Sequence, residues 1–365
     1  MTAYKSLFAF LLLQVLAAGS ICAQTEVAPF RPGVTTDGVS YFLPKTRLHL
    51  AIEATQVTHT PGEYAPFAEL FLRVNDAPQT TYESWTVNTL SVTPYGVADP
   101  TKAFTIRLKP KTAAPLVTLT TDGCLLSING EAMQPEALSQ PGTKQVGSNA
   151  LNAANYKTPE MLAATSPRKA AELAAEEIYD IRENRSMLLK GQADFMPKDG
   201  AQLKLMLDNL AEQEAALLQL FQGTTDTTKH IITLDVEPVN FNGEPQALFR
   251  FSDAKGFLEP GCSEGLLYTI SFTDEHTLPD ALDEAAAKNA KKEIEDMRYC
   301  VSGNARAVIA TSNGNVIWQQ SMPFGQIGRI EHLGGDLFNK KSTTHVYLHP
   351  TTGSILKLDA ALETK

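Results

Sequence analysis

The stretch RLHLAIEATQV, residues 47–57, alternates apolar side chains with polar or charged ones. Its apolar positions are Leu48, Leu50, Ile52 and Ala54. Successive side chains of a β-strand point to opposite faces of the sheet, so a period of two predicts a strand with one buried face and one solvated face. We therefore build the expected fold outward from a strand in this part of the chain.

The segments around this strand predict an N-terminal β domain over residues 39–128 that contains one short helix. Alternating apolar positions return in SWTVNTLSV, residues 84–92, and in AFTIRLK, residues 103–109. LVTLTTDGCLLSI, residues 116–128, predicts a hairpin, because its Asp-Gly pair accepts the positive φ angles of a tight turn. The short helix is predicted within residues 60–72, where apolar residues recur at helical spacing.

The middle of the chain has a different pattern. Residues 129–158 show no hydrophobic period and are rich in Asn, Gln, Pro and Gly, which predicts a linker. Residues 159–223 predict a helical hairpin, with amphipathic segments at 167–189 and 202–222. Because most helical stability comes from packing an apolar face, these two segments need to cover each other or be covered by the β domains.

Boundary signals stand at the ends of both helical segments. Ser166 precedes Pro167, a pairing typical of an N-cap followed by a first-turn proline. Asp199 stands three residues before Gln202, the spacing of a capping box. Gly223 follows the last apolar position and is suited to end the second helix.

Strand patterns return in residues 224–365, which we predict to form a C-terminal β domain. Its short strands include HIITLDV, residues 230–236, and the Asn-Gly pair at 313–314 predicts a second hairpin. An inserted, exposed helix is predicted near residues 279–298, where the composition is helical but no apolar stripe runs through it. The predicted fold class is α+β, with antiparallel β-rich N- and C-terminal regions flanking a central long helical hairpin.

Residues 1–23 have the pattern of a secretory signal peptide: one lysine, a short apolar core and then small residues. We expect cleavage after Ala23, a flexible arm over residues 24–38, and a mature protein in the periplasm or at the cell surface. A lipid anchor on Cys22 is the less favoured alternative, because a bulky isoleucine precedes it where lipoprotein sites need a small residue.

The composition argues against several classes of function. A net charge of −10 does not suit a general nucleic-acid binder, which needs a concentrated basic surface. No later apolar run reaches the roughly 20 residues of a membrane helix, so we expect a protein that does not span the membrane. HExxH, CxxC, G-x-S-x-G and phosphate-binding glycine motifs are all missing, so we expect no metal or cofactor. The balance leans against an enzyme, although distant residues can still assemble a catalytic triad.

Three cysteines would remain after cleavage: Cys124, Cys262 and Cys300. An exported protein meets an oxidising compartment, which makes Cys262 with Cys300 a candidate disulfide. Their odd number leaves at least one thiol unpaired or bonded to another chain. Buried, unpaired thiols are the alternative.

A candidate bracing or binding residue lies near the turn between the helical segments. Arg185 interrupts the apolar face of the first segment, and Glu214 interrupts that of the second. A turn centred near Asp194 would leave this pair about 16 Å apart at 1.5 Å per residue. We therefore expect Arg185 to reach Asp194, or another acceptor at the turn, and to brace it. The alternative is a ligand-binding arginine, since a planar guanidinium suits carboxylates and phosphates.

Aromatic and acidic residues suggest a second functional hypothesis, that the protein binds or cleaves a glycan. Trp85 and Trp318 lie in predicted strands and are a candidate sugar-stacking platform, with core packing as the alternative. Glu176, Asp180 and Glu183 share one face of the first helical segment. Two carboxyl groups held roughly 5–10 Å apart in a cleft can cut a glycosidic bond, although a solvated helix face also produces such a cluster.

Several long stretches together resemble a known family. They include GVSYFLPKTRLHLAIEA, residues 38–54, AAEEIYDIRENRSMLLKGQADFMPKDGAQLKLMLDNL, residues 174–210, and TTGSIL, residues 351–356. The sequence resembles a family of exported Bacteroidales proteins, a domain of unknown function numbered 4831, over nearly the whole mature chain. The resemblance implies a setting in the envelope of a Gram-negative bacterium, and it supplies no catalytic residue.

Two functional expectations follow. The first is an exported cell-envelope protein without enzymatic activity that binds another envelope protein or organises an assembly. The second is a glycan-binding protein or a glycan-directed hydrolase.

Overall fold

The computed structural model describes residues 39–106, 116–132, 134–197, 199–278, 297–333 and 342–362. The signal peptide, the arm, Cys22 and nearly all of the predicted inserted helix lie outside these residues and stay predictions. In the described part, thirteen strands form three antiparallel sheets. In chain order the strands are β1 Val39–Thr60, β2 Tyr82–Ile106, β3 Val117–Leu119, β4 Leu125–Ile128, β5 Gly142–Ser148, β6 Thr224–Val236, β7 Gln246–Ser252, β8 Gly256–Leu258, β9 Leu266–Asp274, β10 Met297–Thr311, β11 Val316–Leu333, β12 Ser342–Leu348 and β13 Ile355–Leu362.

The first sheet has the strand order β2-β1-β6-β5. Its strand β1 contains the alternating stretch that predicted a strand, and Leu48, Leu50 and Ile52 are at most 1% exposed. The second sheet, β11-β10-β9-β7-β8, packs against this face, and its Ile270 and Phe324 join the same core cluster. The alternation in β1 therefore corresponds to packing between two sheets.

The third sheet, β13-β12-β4-β3, packs against the beginning of β1. Tyr41 and Leu43 of that strand are buried with Ile128 and Val346. One long strand thus contributes to two cores, which couples the third sheet to the other two.

A polar junction joins the three sheets at the loop TTGS, residues 351–354. The Thr46 hydroxyl donates to the carbonyl of Thr351 at 2.9 Å, and the Thr46 backbone N–H donates to the Gln326 side chain at 3.0 Å. The loop lies so close to β2 that a Cβ at Gly96 would overlap the carbonyl of Pro350. Buried polar groups need hydrogen-bond partners. The TTGS loop provides one for Thr46, so its role in this junction is structural.

The helices are α1 Ala68–Leu72, α2 Pro159–Leu162, α3 Pro167–Lys190 and α4 Gly200–Gln222, with 3₁₀ turns at Ala65–Phe67 and Ala153–Tyr156. The Ser166 side chain accepts from the backbone N–H of Lys169, and Asp199 accepts from that of Ala201, so both predicted N-caps are confirmed. Helices α3 and α4, called the helix pair below, lie against each other. They extend from the end of the first sheet, where Thr60 pairs with Thr224.

The predicted fold class is wrong. The described part of the chain is mainly β, in three antiparallel sheets, and no long helical hairpin forms its centre. The sheets also mix strands from both sides of the helices, since β1 pairs with β6 and β4 pairs with β12. A period of two identifies a strand but not its partner, so the sequence pattern did not reveal this interleaving.

Residues 129–158 are more than a linker, because they contain β5. All seven residues of this strand are exposed, and it pairs with β6 at the edge of the first sheet. A strand exposed on both faces has no buried side chain to impose an alternating pattern. Backbone hydrogen bonds hold it in place, and composition does not reveal those.

Candidate functional site

Two local signals define the end of the helix pair that lies away from the sheets: a glycine that ends α3 and a capping residue that begins α4. Gly191 has a left-handed φ of 70° and ends α3, with its N–H donating to the Leu188 carbonyl at 3.2 Å. The Asp199 carboxylate accepts from the N–H of Ala201 at 2.7 Å and begins α4. We call residues 184–210, which comprise the last turns of α3, the connection and the first turns of α4, the distal end.

The distal end contains a cavity of about 460 Å³. Its lining is mostly apolar, with two amides and one carboxylate: Asn184, Met187, Leu188, Ala193, Asp194, Phe195, Met206, Asn209 and Leu210. Apolar pockets of about 300–1,000 Å³ with a few polar groups are typical of ligand sites. Both helices and the connection contribute to this cavity, so it depends on how the helix pair is joined.

Exposed apolar side chains occur at the distal end, next in the chain to residues that line the cavity, and one of them, Phe195, lines it. Leu189 is 67% exposed, Phe195 65%, Leu205 61% and Met196 37%. Single exposed apolar residues are ordinary, but a group of large ones close together in the chain and next to a pocket is characteristic of an interaction surface. Covering them would remove apolar area from water, at roughly 25 cal/mol per Å².

A buried carboxylate fixes the two helices just inside the distal end. Glu214 is 8% exposed and accepts from Arg182 at 2.6 Å and from Arg185 at 2.7 Å. The prediction that Arg185 is too far from Glu214 is therefore wrong, and the role of Arg182 was missed. The error came from centring the turn near Asp194.

The connection between α3 and α4 explains why Arg185 lies near Glu214 and not opposite the start of α4. Arg185 lies five residues before the end of α3, whereas Glu214 lies fourteen residues after the start of α4. Helix α4 thus extends beyond α3 by more than one turn of 5.4 Å. Residues 193–195 of the connection line the cavity, where they lie beside Met206 and Leu210. The spacing of the apolar residues indicates which face of each helix is buried. It does not determine how far one helix is displaced along the other.

Asp194 lies in the cavity lining rather than on Arg185. Within the described residues, the structure gives its carboxylate no hydrogen bond or ion pair, and the same holds for the side-chain amides of Asn184 and Asn209. These polar groups are available to a ligand that enters the cavity.

One comparison with known proteins identifies the family. Residues 37–356 match the family described as Domain of unknown function (DUF4831). The chain belongs to this family. No curated protein and no solved structure matches the sequence.

The DUF4831 match includes the whole helix pair and the first twelve described strands, but only the first two residues of β13. The distal end is therefore part of the family domain and not an appendage to it. Within the described residues of this DUF4831 chain, no helix is both long and apolar enough to cross a membrane.

The tryptophans occupy different sheets. Trp85, on β2, has its ring 4.7 Å from that of His230 and lies over Gly256, where a Cβ would meet the indole. Trp318, on β11, packs partly buried beside the first core cluster. Their role as a sugar platform stays a prediction.

The acidic residues of α3 lie on its solvated face, since Glu176, Asp180 and Glu183 are all exposed. In the described part of the chain, no group of three or more His, Cys, Asp or Glu side chains lies together as a metal site requires.

The three described cysteines are free thiols, so the structure does not join Cys262 to Cys300. Cys262 is exposed, whereas Cys300 is buried and donates to the carbonyl of Gly325 at 3.6 Å. Burial raises the pKa of the Cys300 thiol, and burial together with the nearby Asp122 carboxylate raises the pKa of Cys124 to about 12. Thiolates are the reactive form, so these two buried cysteines are chemically quiet.

Proposed function

We propose that this DUF4831 protein is a non-enzymatic protein of the bacterial cell envelope that binds another envelope protein through the distal end of its helix pair. The observation that carries the proposal is the cavity of about 460 Å³ at the distal end, together with the exposure of Leu189, Phe195 and Leu205 in the same part of the helix pair. Exposing apolar side chains to water is unfavourable in free energy, and a partner that covers them removes this penalty.

The envelope setting rests on the first residues of the chain. Residues 1–23 combine one lysine, a short apolar core and small residues before the expected cleavage point, which is the pattern of an exported protein. The periplasm and the cell surface both fit this pattern.

The geometry around the helix pair supports binding rather than catalysis. Glu214, the most buried carboxylate of the helix pair, is held between two arginines and is thus occupied in joining α3 to α4. The glycan alternative would need an open tryptophan face, whereas Trp85 lies partly buried over Gly256 and His230.

Site-specific photo-cross-linking in the native host tests the proposal. A photoreactive benzoylphenylalanine replaces Phe195, which is 65% exposed, in one strain. In a control strain it replaces Val239, an apolar residue in the loop after β6 that is 78% exposed. We expect one discrete protein adduct from position 195 and none from position 239.

Each other outcome opposes the proposal. Adducts of equal yield from both positions would mean non-specific collisions. A carbohydrate adduct at position 195 would favour the glycan alternative, and only unmodified protein from both strains would remove the support for a partner at the distal end.

A further inference from the structure

We infer that His49 is a charge-dependent latch that holds residues 135–141, the segment leading into strand β5, on the first sheet and releases them as the pH rises. The inference concerns a different part of the molecule from the distal end and does not depend on the proposed function. Three observations support it: the burial of the imidazole, the two acceptors beside it, and the scarcity of other contacts to the segment.

The imidazole of His49 lies between two oxygen atoms that accept hydrogen bonds and cannot donate them. The residue is 6% exposed. Its Nδ1 lies 2.7 Å from a carboxylate oxygen of Asp235, and its Nε2 lies 2.9 Å from the carbonyl oxygen of Ser139. A neutral imidazole has one N–H group and donates once, whereas the imidazolium ion donates twice. Both contacts together therefore require the charged ring.

The segment that His49 holds has few other contacts with the protein. Leu138 is half-buried, and the other residues of 135–141, including its charged residue Glu136, are exposed. Within the described part of the chain, His49 is the hydrogen-bond partner that joins residues 135–140 to the sheet. The following strand, β5, is exposed throughout and pairs with β6 at the edge of the sheet. Loss of the His49 contact therefore removes much of what fixes the segment.

The groups that face His49 favour its charged form. Asp235 lies directly opposite it on β6. Arg47, two residues away on the same face of β1, is bound to Glu237. Tyr95 of β2 presents its ring edge-on, with the ring centroids 6.4 Å apart. Burial and the Asp235 carboxylate raise the pKa of Tyr95, so the phenol stays neutral and Asp235 is the anion beside the imidazole.

The direction of the pH effect follows from the count of hydrogen bonds. The charged ring makes one more bond in the closed arrangement than the neutral ring does, so closure and protonation favour each other. The segment is held where the imidazole is charged, and the hold is lost as the pH rises through the range in which histidine titrates, about pH 6–8. The neutral ring keeps its N–H on Asp235, so the contact that is given up is the one to Ser139.

A second histidine of the same sheet provides a matched control. His230, on β6, lies 3.3 Å from the Thr143 hydroxyl of β5 and 2.9 Å from the side-chain oxygen of Gln56. A hydroxyl group donates or accepts, and a side-chain amide offers either its oxygen or its nitrogen after rotation. The neutral form of His230 therefore keeps both contacts, and its titration should leave β5 in place.

The test follows the mobility of a spin label on the segment in the mature chain, residues 24–365. A nitroxide is attached at Gln140→Cys in a Cys262→Ser background, which leaves the two buried cysteines as the remaining thiols. Electron paramagnetic resonance measures the mobile fraction of the label between about pH 5.5 and 8.5. We expect this fraction to rise about five- to ten-fold over that range, as loss of one hydrogen bond to a charged group implies.

Two variants and one direct measurement identify the group responsible. His49→Gln should make the mobile fraction independent of pH, because the amide does not titrate, whereas His230→Gln should keep the original pH dependence. ¹⁵N NMR of the ring nitrogens should show two protonated nitrogens on His49 at low pH and one at high pH. The change in mobility should coincide with this transition, which tests the latch even if His49→Gln fails to fold.

Several results would overturn the inference. A mobile fraction that does not change with pH would show that the segment does not depend on the charge of His49. The same would follow if the ring of His49 titrated without a change in mobility, or if the pH dependence persisted in His49→Gln. Loss of the dependence in His230→Gln would assign the effect to the wrong histidine.

Discussion

The two ends of the helix pair have similar helical sequences and opposite surroundings. At the proximal end, which we define as residues 170–181 of α3 and 216–221 of α4, Ala171, Ile178 and Phe221 are fully buried. At the distal end, Leu189 and Leu205 of the same helices are more than 60% exposed. Leu188, on the apolar face of α3, stays buried at the distal end, so the exposed leucines there are ones that lie beside the apolar faces of the two helices.

The neighbours of the proximal end come from the chain that follows β1. The ring of Tyr64 lies 5.6 Å from that of Phe221 in an edge-to-face arrangement, and the Tyr64 N–H donates to the Leu220 carbonyl at 2.6 Å. Helix α1 adds Ala68 and Leu72 to the same cluster. In the described part of the chain, the distal end has no comparable cover, so its apolar groups remain available for a partner.

The largest expected effect comes from truncating the two phenylalanines at opposite ends. Phe221→Ala should lower the free energy of unfolding by about 3–5 kcal/mol, because it removes a buried ring and leaves a cavity. Phe195→Ala should change it by less than about 0.5 kcal/mol, because that side chain is mostly in water already. Urea unfolding followed by circular dichroism measures both values. Equal losses from the two variants would contradict the contrast between the ends.

Replacing one glycine at each end by alanine should change the free energy of unfolding by a smaller amount and with opposite sign at the two ends. Gly62→Ala should cost about 1–3 kcal/mol or more, because its Cβ would overlap the Leu220 carbonyl. Gly200→Ala should stabilise by about 0.4–1 kcal/mol, because nothing lies within 4 Å of its Cβ and alanine restricts the unfolded chain. Thermal unfolding of both variants measures the difference. A tolerated Gly62→Ala would mean that the proximal contact is loose.

Of the three destabilising changes, the one at the carboxylate between the two ends should have the smallest effect. Glu214→Gln should cost about 1–2 kcal/mol, since it weakens contacts to two guanidinium groups that are partly solvated. Arg182 is 40% exposed and Arg185 38%, which screens both ion pairs. Double-mutant cycles with Arg182→Met and Arg185→Met measure the two couplings. Coupling energies of zero would show that the crossing of α3 and α4 does not depend on Glu214.

The sequence was most informative where a signal is local. The alternation in β1 and the N-caps at Ser166 and Asp199 occur as predicted. The chain also reverses at Gly123 and Gly314, with φ of 91° and 85°, but the residues before these glycines do not have the positive φ expected of a tight two-residue turn. Each depends on the conformational preference of one or two residues or on a period along one strand. Such preferences do not change when the strand finds a distant partner.

The candidate site was predictable only in part. Arg185 and Asp194 both belong to the distal end, but they do not pair with each other, and the partner of Arg185 is Glu214. The cavity itself left no sequence signal, because its lining mixes apolar residues with two ordinary asparagines. The offset between α3 and α4 creates it, and that offset follows from a connection whose path no local pattern specifies.

By itself, the sequence determined the class of most described segments, namely the strands of period two and the helices with capped ends, but not the strand within residues 129–158. The signal peptide at residues 1–23 stays a prediction. The tertiary structure alone decided that strands from both sides of the helices share sheets, that Thr46 joins the TTGS loop, and that one end of the helix pair is covered while the other is open. The physical reason is the range of the forces. Backbone preferences and side-chain periodicity act within a few residues, whereas pairing and burial depend on residues far apart in the chain.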